Sequence, residues 1–105
     1  MKNILLIDTS DNKKITVGVE INGKSEVVIS EANKLKSQAC LALIEKVLES
    51  KGLKPEDLSE IKINKGPGSF TGLRIGMAIA NSFSYLLKIP VNGTPIGQSQ
   101  EPVYN

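Results

Sequence analysis

The dipeptide Asn22-Gly23 is the tightest constraint in this chain. It stands between KITVGVEI (14–21) and KSEVVISE (24–31), where two successive residues that accept positive φ specify a type I′ turn. The two runs therefore predict an antiparallel hairpin. In the first run Ile15, Val17, Val19 and Ile21 alternate with Thr16, Gly18 and Glu20, the pattern of a strand with one apolar and one wetter face. Upstream, NILLID (3–8) is a compact apolar run suited to burial on both faces, and Asp11-Asn12 can turn it back on the hairpin. The first three elements read as a meander with the apolar run at its inner side.

Two helices follow. Asn33 stands where an N-cap is needed for a helix from about 34 to 51, and Gly52 is its stop. KPEDL (54–58) reads as a turn, EIKIN (60–64) as a short strand, 71–88 as a second helix and IPVNGT (89–94) as a last strand. A three-strand meander followed by two right-handed crossovers predicts a five-stranded mixed sheet of order 3-2-1-4-5 in a βββαβαβ chain. That is the α/β layout of a ribonuclease-H-like or actin-like (ASKHA) half-domain. Residues 1–94 form one domain in this reading, and 95–105 a polar C-terminal tail. Lys62 and Asn64 alternate with Ile61 and Ile63, so one face of the sheet is expected to meet water.

Composition removes several chemistries. The chain has no histidine, hence neither the usual activator of a serine or cysteine nucleophile nor the principal nitrogen ligand of zinc. Thirteen basic and eleven acidic residues leave a net charge of +2, and the lysines are dispersed, so no clustered basic surface for direct nucleic-acid binding is expected. Cys40 falls within a helical pattern and reads as a small buried hydrophobe. The opening MKNILLIDTS is too short for a signal-peptide core, and no stretch approaches a membrane span, which makes the cytoplasm the expected location.

KGPGSFTGLRIG (65–76) sits after a strand and before a helix. Free N–H groups and the helix dipole could hold an anion there, with Asp8, Gly66, Gly68, Ser69 and Thr71 as candidate residues. A strand-to-helix corner needs the same residue types without any ligand, with Ser69 or Thr71 as the helix cap. Both readings stay open at this level. The loop lacks the Gly-Lys-Ser/Thr ending of a Walker loop, and Ser69 in G-S-F-T-G is not framed as a nucleophile elbow. An actin-like nucleotide- or phosphate-binding enzyme using Asp8 and the 66–72 loop is the alternative function.

GPGSFTGLRIGMAIA (66–80), with ILLIDTS (4–10) and LKPEDLSEIKI (53–63), resembles the TsaB family, the Gcp-like, glycoprotease-related proteins of tRNA threonylcarbamoyladenosine biosynthesis. The resemblance implies a non-catalytic scaffold without a cofactor of its own. It pairs with a TsaD-like subunit that holds the metal and transfers the threonylcarbamoyl group, and an ATP-hydrolysing third subunit joins them. Its link to tRNA is then indirect. The family's partner surface corresponds here to the helices at about 34–51 and 71–88.

The helices carry more apolar surface than a sheet requires. In the first, Cys40, Leu41, Leu43, Ile44, Val47 and Leu48 spread over roughly 160°, where a covering helix needs roughly 100°. The second leaves only a narrow polar sector around Arg74, Asn81 and Lys88, with Gly76, Ala78 and Ala80 as small residues where another helix could come close. Leu41, Ile44, Leu48, Leu73, Met77, Ile79, Ala80 and Phe83 are the candidate partner-binding residues, for a homodimer or a heterodimer with a TsaD-like protein. Members of the family are usually about twice this long, with two halves and a cleft. A nucleotide site built from both halves would be incomplete here, and the short form is read as natural, its sheet adapted to exposure.

Overall fold

The computed structural model describes residues 2–31 and 36–93. Three strands come first, β1 (Asn3–Asp8), β2 (Lys14–Ile21) and β3 (Lys24–Glu31). Helix α1 (Lys36–Ser50), a 3-10 turn (Pro55–Asp57), strand β4 (Glu60–Ile63) and helix α2 (Phe70–Leu87) follow. Asn33, the expected N-cap of α1, and the tail 95–105 lie outside the described residues.

The hairpin forms where the turn dipeptide demands it. Asn22 and Gly23 have φ of 52° and 85°, and Ile21 faces Lys24 across them. β1 runs antiparallel to β2 and parallel to β4, with Leu5 beside Val19 and Ile61, and Ile7 beside Val17 and Ile63. Period-2 geometry then places Leu5, Ile7, Ile15, Val17, Val19, Ile61 and Ile63 on one face, and all seven are buried. They form one core with Cys40, Leu43, Ile44, Val47 and Leu48 of α1 and with Met77, Ile79 and Ala80 of α2. The other face carries Leu6, Asp8, Thr16, Glu20, Val27, Ile29 and Lys62, which are half-buried or exposed. Lys62 and Asn64 are exposed, as the alternation of β4 implies.

One expectation needs correction. Among the described residues the sheet has four strands in the expected order β3-β2-β1-β4, and the strand expected over 89–94, of which Thr94 lies outside the described residues, is represented by a single parallel bridge between Val91 and Ile61. The cause is the second Asn-Gly pair. Asn92 and Gly93 take φ of 51° and 75°, which turns the backbone out of the extended conformation just after Val91. Asn92 then substitutes its side-chain amide for the missing strand. Ile63 N–H donates to Asn92 Oδ1 at 2.8 Å, and Asn92 Nδ2 donates to the Ile63 carbonyl at 3.0 Å. Ile61 N–H to the Pro90 carbonyl (3.0 Å) and Asn92 N–H to the Ile61 carbonyl (2.8 Å) complete the seam.

Both ends of α2 are set by local chemistry. Ser69 is the N-cap, its Oγ accepting from Gly72 N–H at 3.2 Å, so the helix begins at Phe70. At the other end Lys88 takes φ 56°, and its N–H donates to the Ser84 carbonyl. Ser84 Oγ donates to the Ile89 carbonyl at 2.6 Å, fastening the exit.

Candidate functional site

Two regions hold the candidate residues, and the structure treats them differently. The glycine loop is the first. Its four-residue glycine spacing, Gly68, Gly72 and Gly76, faces the end of β1. A Cβ at Gly68 would come within 2.7 Å of Ser10 Cβ, one at Gly72 would overlap the Thr9 carbonyl, and one at Gly76 would overlap Thr9 Oγ1. The missing side chains let the start of α2 lie directly against Thr9 and Ser10. Thr9, fully buried, donates from Oγ1 to the Gly72 carbonyl at 2.7 Å. Gly76 was expected to admit a foreign helix; its bare side admits Thr9 of its own chain.

Three of the loop's N–H donors are engaged from within. Gly66 N–H donates to Asn64 Oδ1 (3.0 Å), Ser69 N–H to the Ser10 carbonyl (2.7 Å) and Gly72 N–H to Ser69 Oγ. Gly66 takes φ 114°, open to glycine alone. Asp8 Oδ1 accepts from Ser10 N–H (2.9 Å) and Ser10 Oγ (2.6 Å), and Oδ2 accepts from Asn64 Nδ2 at 3.2 Å. Partial burial pushes the Asp8 carboxyl upward, but the hydrogen bonds from Ser10 and Asn64 outweigh it and hold the group below the ordinary aspartate value. The Asp8 carboxylate is thus held by neighbours of its own chain. Lys36 Nζ donates to the Thr9 and Asp11 carbonyls at 3.2 and 2.6 Å, drawing α1 onto the same corner. Thr71 is exposed and does not cap the helix; Ser69 does. Among the described residues no group of three histidine, cysteine, aspartate or glutamate side chains could hold a metal ion.

The helices are the second region. Leu73, Met77 and Ala80 are buried on one side of α2, and Ile79, about 120° round the helix from Leu73, is buried in the core as well. Ile44 and Leu48 are buried as well, yet they form the floor of a groove of about 530 Å³ between α1, the 3-10 turn and α2. Leu41, exposed, and Phe83, half-buried, stand on its walls, with Leu53, Pro55 and Leu58 closing one end. Glu45, Glu49 and Lys54 supply its polar rim.

The outer side of α2 continues this surface. Tyr85 and Leu86 are 77% and 71% exposed, Phe70 is exposed under the Arg74 guanidinium at 5.5 Å, and Ala78 is exposed between them. At 100° per residue Phe70, Arg74, Ala78 and Tyr85 fall within about 80° of one another. Leu86 follows Phe83 by three positions and so adjoins it on the helix surface. Phe70, Tyr85 and Leu86 were not among the candidates from sequence. Their signal was the width of the apolar arc, which shows an excess without showing which side the sheet will take.

Cys40 is fully buried, and burial pushes its thiol up to about 11. No helix among the described residues is long and apolar enough to cross a membrane.

Comparison with known proteins returns a consistent set. Residues 20–95 match the family model described as TsaD: tRNA N6-adenosine threonylcarbamoyltransferase. The chain is 35% identical over 92 residues to the tRNA threonylcarbamoyladenosine biosynthesis protein TsaB of Bacillus subtilis, a match covering 85% of this chain and 39% of that protein. It is 39% identical over 94 residues to the protein of the same name from Buchnera aphidicola subsp. Schizaphis graminum, covering 86% of this chain and 42% of that one. Among solved structures, YeaZ from Pseudomonas aeruginosa superposes with a TM-score of 0.79 at 26% identity, over 87% of this chain and 42% of that chain. The chain thus spans less than half the length of the relatives it matches.

Proposed function

Because the chain belongs to the TsaB family, we propose that it serves tRNA threonylcarbamoyladenosine biosynthesis as a non-catalytic subunit whose helical layer docks a TsaD-like catalytic subunit. The observation that carries this reading is the placement of exposed large apolar side chains. Leu41, Phe70, Tyr85 and Leu86 all stand on the two helices: Leu41 lines a groove with an apolar floor, Leu86 adjoins its Phe83 wall, and Phe70 and Tyr85 lie farther round α2. Such a surface suits a partner that packs helix against helix, since Tyr85 and Leu86 can supply anchors while Ala78 permits close approach. The charged rim of Glu45, Glu49 and Lys54 fits an interface with an apolar centre and a polar edge.

The glycine corner reads as a packing device in this proposal. Asp8 is held by Ser10 and Asn64, while the Gly66, Ser69 and Gly72 N–H groups donate to Asn64, Ser10 and Ser69, so these bonds tie the corner to its own chain. The corner's role is to seat α2 against β1 and so hold the docking layer in place.

The test is sedimentation of the purified chain with a TsaD-like subunit from the same organism. The wild type should form a stable 1:1 complex, and Tyr85→Asp or Leu86→Asp should weaken it at least tenfold with the circular dichroism of the free chain unchanged. Unaltered affinity in both variants would sink the assignment of this surface. A wild-type chain that forms only dimers, and ignores the TsaD-like subunit, would sink the partner.

A further inference from the structure

The exposed large apolar side chains of the described residues fall in two places, and the helical layer accounts for only one. The other is a run of three consecutive residues on the edge strand β3, Val27, Val28 and Ile29, exposed by 53%, 46% and 59%. A strand that covers one face of a sheet needs apolar residues only at alternate positions. Here neighbours on opposite faces are apolar together: Val28 points to the helix side, with Val17, while Val27 and Ile29 point to the open side, with Gly18 and Thr16. A body resting on either face would leave part of the run bare. Only a neighbour added sideways, along the strand edge, covers both.

The backbone of β3 is phased for such a neighbour. The two-residue turn makes Ile21–Lys24 the hydrogen-bonded closing pair, and the register runs on without a bulge through Val19–Glu26, Val17–Val28 and Ile15–Ser30. Ser25, Val27, Ile29 and Glu31 therefore direct their N–H and C=O groups away from β2. No described strand lies on that side. Natural edges often place a charge in the middle to repel a stranger, whereas here the charges stand off-centre at Lys24, Glu26 and Glu31.

We propose that β3 is a second interaction surface, on which a second copy of this chain adds its own β3 antiparallel, related by a twofold axis at Val28. This goes beyond docking through the helices and uses none of their residues. Three observations select a second copy. In the register centred on Val28, Val27 of each copy faces Ile29 of the other and Val28 faces Val28, so every apolar residue of the run meets another. The same register sets Ser25, Val27, Ile29 and Glu31 opposite outward-facing residues of the partner strand, for about eight new backbone hydrogen bonds. A register centred on Val27 places Ser25 against Ile29 and makes fewer. The antiparallel arrangement also lays the Lys24 end of each strand beside the Glu31 end of the other, which brings opposite charges together. The result is one continuous eight-stranded sheet with the helical layers of both copies on the same side.

The register makes the test specific. In a non-hydrogen-bonded pair at the axis the two Val28 Cα atoms lie about 4.5 Å apart, within disulfide range. Val27 and Ile29 of one copy stand diagonal to the same residue of the other, at roughly 7–8 Å. Val28→Cys should give a disulfide-linked dimer of the full chain on mild oxidation, at least tenfold faster than Val27→Cys or Ile29→Cys. Cys40 is fully buried and does not compete. Adding Ile29→Pro to Val28→Cys removes only an N–H that points outward, so it should suppress the cross-link with an unchanged circular dichroism spectrum. Val28→Cys linking no faster than its neighbours, or failing to link, would overturn the pairing. Tyr85→Asp leaves this cross-link intact if the two surfaces are separate, so failure here and failure of helix docking are read independently.

Discussion

At the scale of single residues, the glycine loop shows how a motif can be conspicuous for packing reasons. Gly68, Gly72 and Gly76 recur every four positions because one side of the loop and of α2 must lie flush against Thr9 and Ser10. Gly76 is the sharpest case. Its neighbour Thr9 is fully buried, so its hydroxyl cannot swing away without breaking the 2.7 Å bond to the Gly72 carbonyl. Gly76→Ala raises helix propensity by about 1 kcal/mol, and at an exposed site it would stabilise. Here overpacking costs about 1–3 kcal/mol and forfeits a buried hydrogen bond worth a further 1 kcal/mol or so, so the sum is destabilising. Urea denaturation should show a lower midpoint for Gly76→Ala; a higher midpoint would mean that Thr9 yields freely. Thr9→Ala should restore part of the loss, because it removes the atom that the new methyl meets.

At the scale of elements, most of the fold was legible because turn chemistry and periodicity agreed. Asn22-Gly23 flanked by alternating runs admits one reading, and the observed β2 and β3 match it to the residue. The second Asn-Gly pair was harder to read. Asn92-Gly93 follows Ile89 and Val91, whose alternation suggests a strand, and a sequence does not show that the asparagine amide will stand in for the next pair of peptide groups. α2 began one residue early for a similarly local reason, since either Ser69 or Thr71 could cap it. The Asn92 substitution can be isolated cleanly. Asn92→Gly keeps the left-handed backbone available and deletes only the two bonds to Ile63. The Ile63 N–H and C=O then lose their partner at a largely buried strand, which should lower stability by about 1–3 kcal/mol. A chemical-denaturation midpoint equal to wild type would show that water replaces the amide at no cost.

At the scale of the whole molecule, the question is which side of each helix faces inward. An apolar arc wider than one face tells that α2 has a surplus, but the sheet claims whichever side its length and the glycine corner impose. Leu73, Met77, Ile79 and Ala80 were claimed, and Phe70, Ala78, Tyr85 and Leu86 were left outside. The two sets have opposite consequences on substitution. Ile79→Asp puts a carboxylate into the apolar core, which costs several kcal/mol against a domain stability of about 5–15 kcal/mol. Leu73→Asp, at a fully buried position, should do the same. Both variants should lose most of their helical circular dichroism signal or melt far below wild type, so any failure to bind reports only unfolding. Tyr85→Asp and Leu86→Asp place the same charge in water, where single substitutions stay within about 0.5 kcal/mol. A binding defect in these folded variants therefore reports the surface itself. If Ile79→Asp folds as well as Tyr85→Asp does, the inner and outer sides of α2 have been assigned the wrong way round.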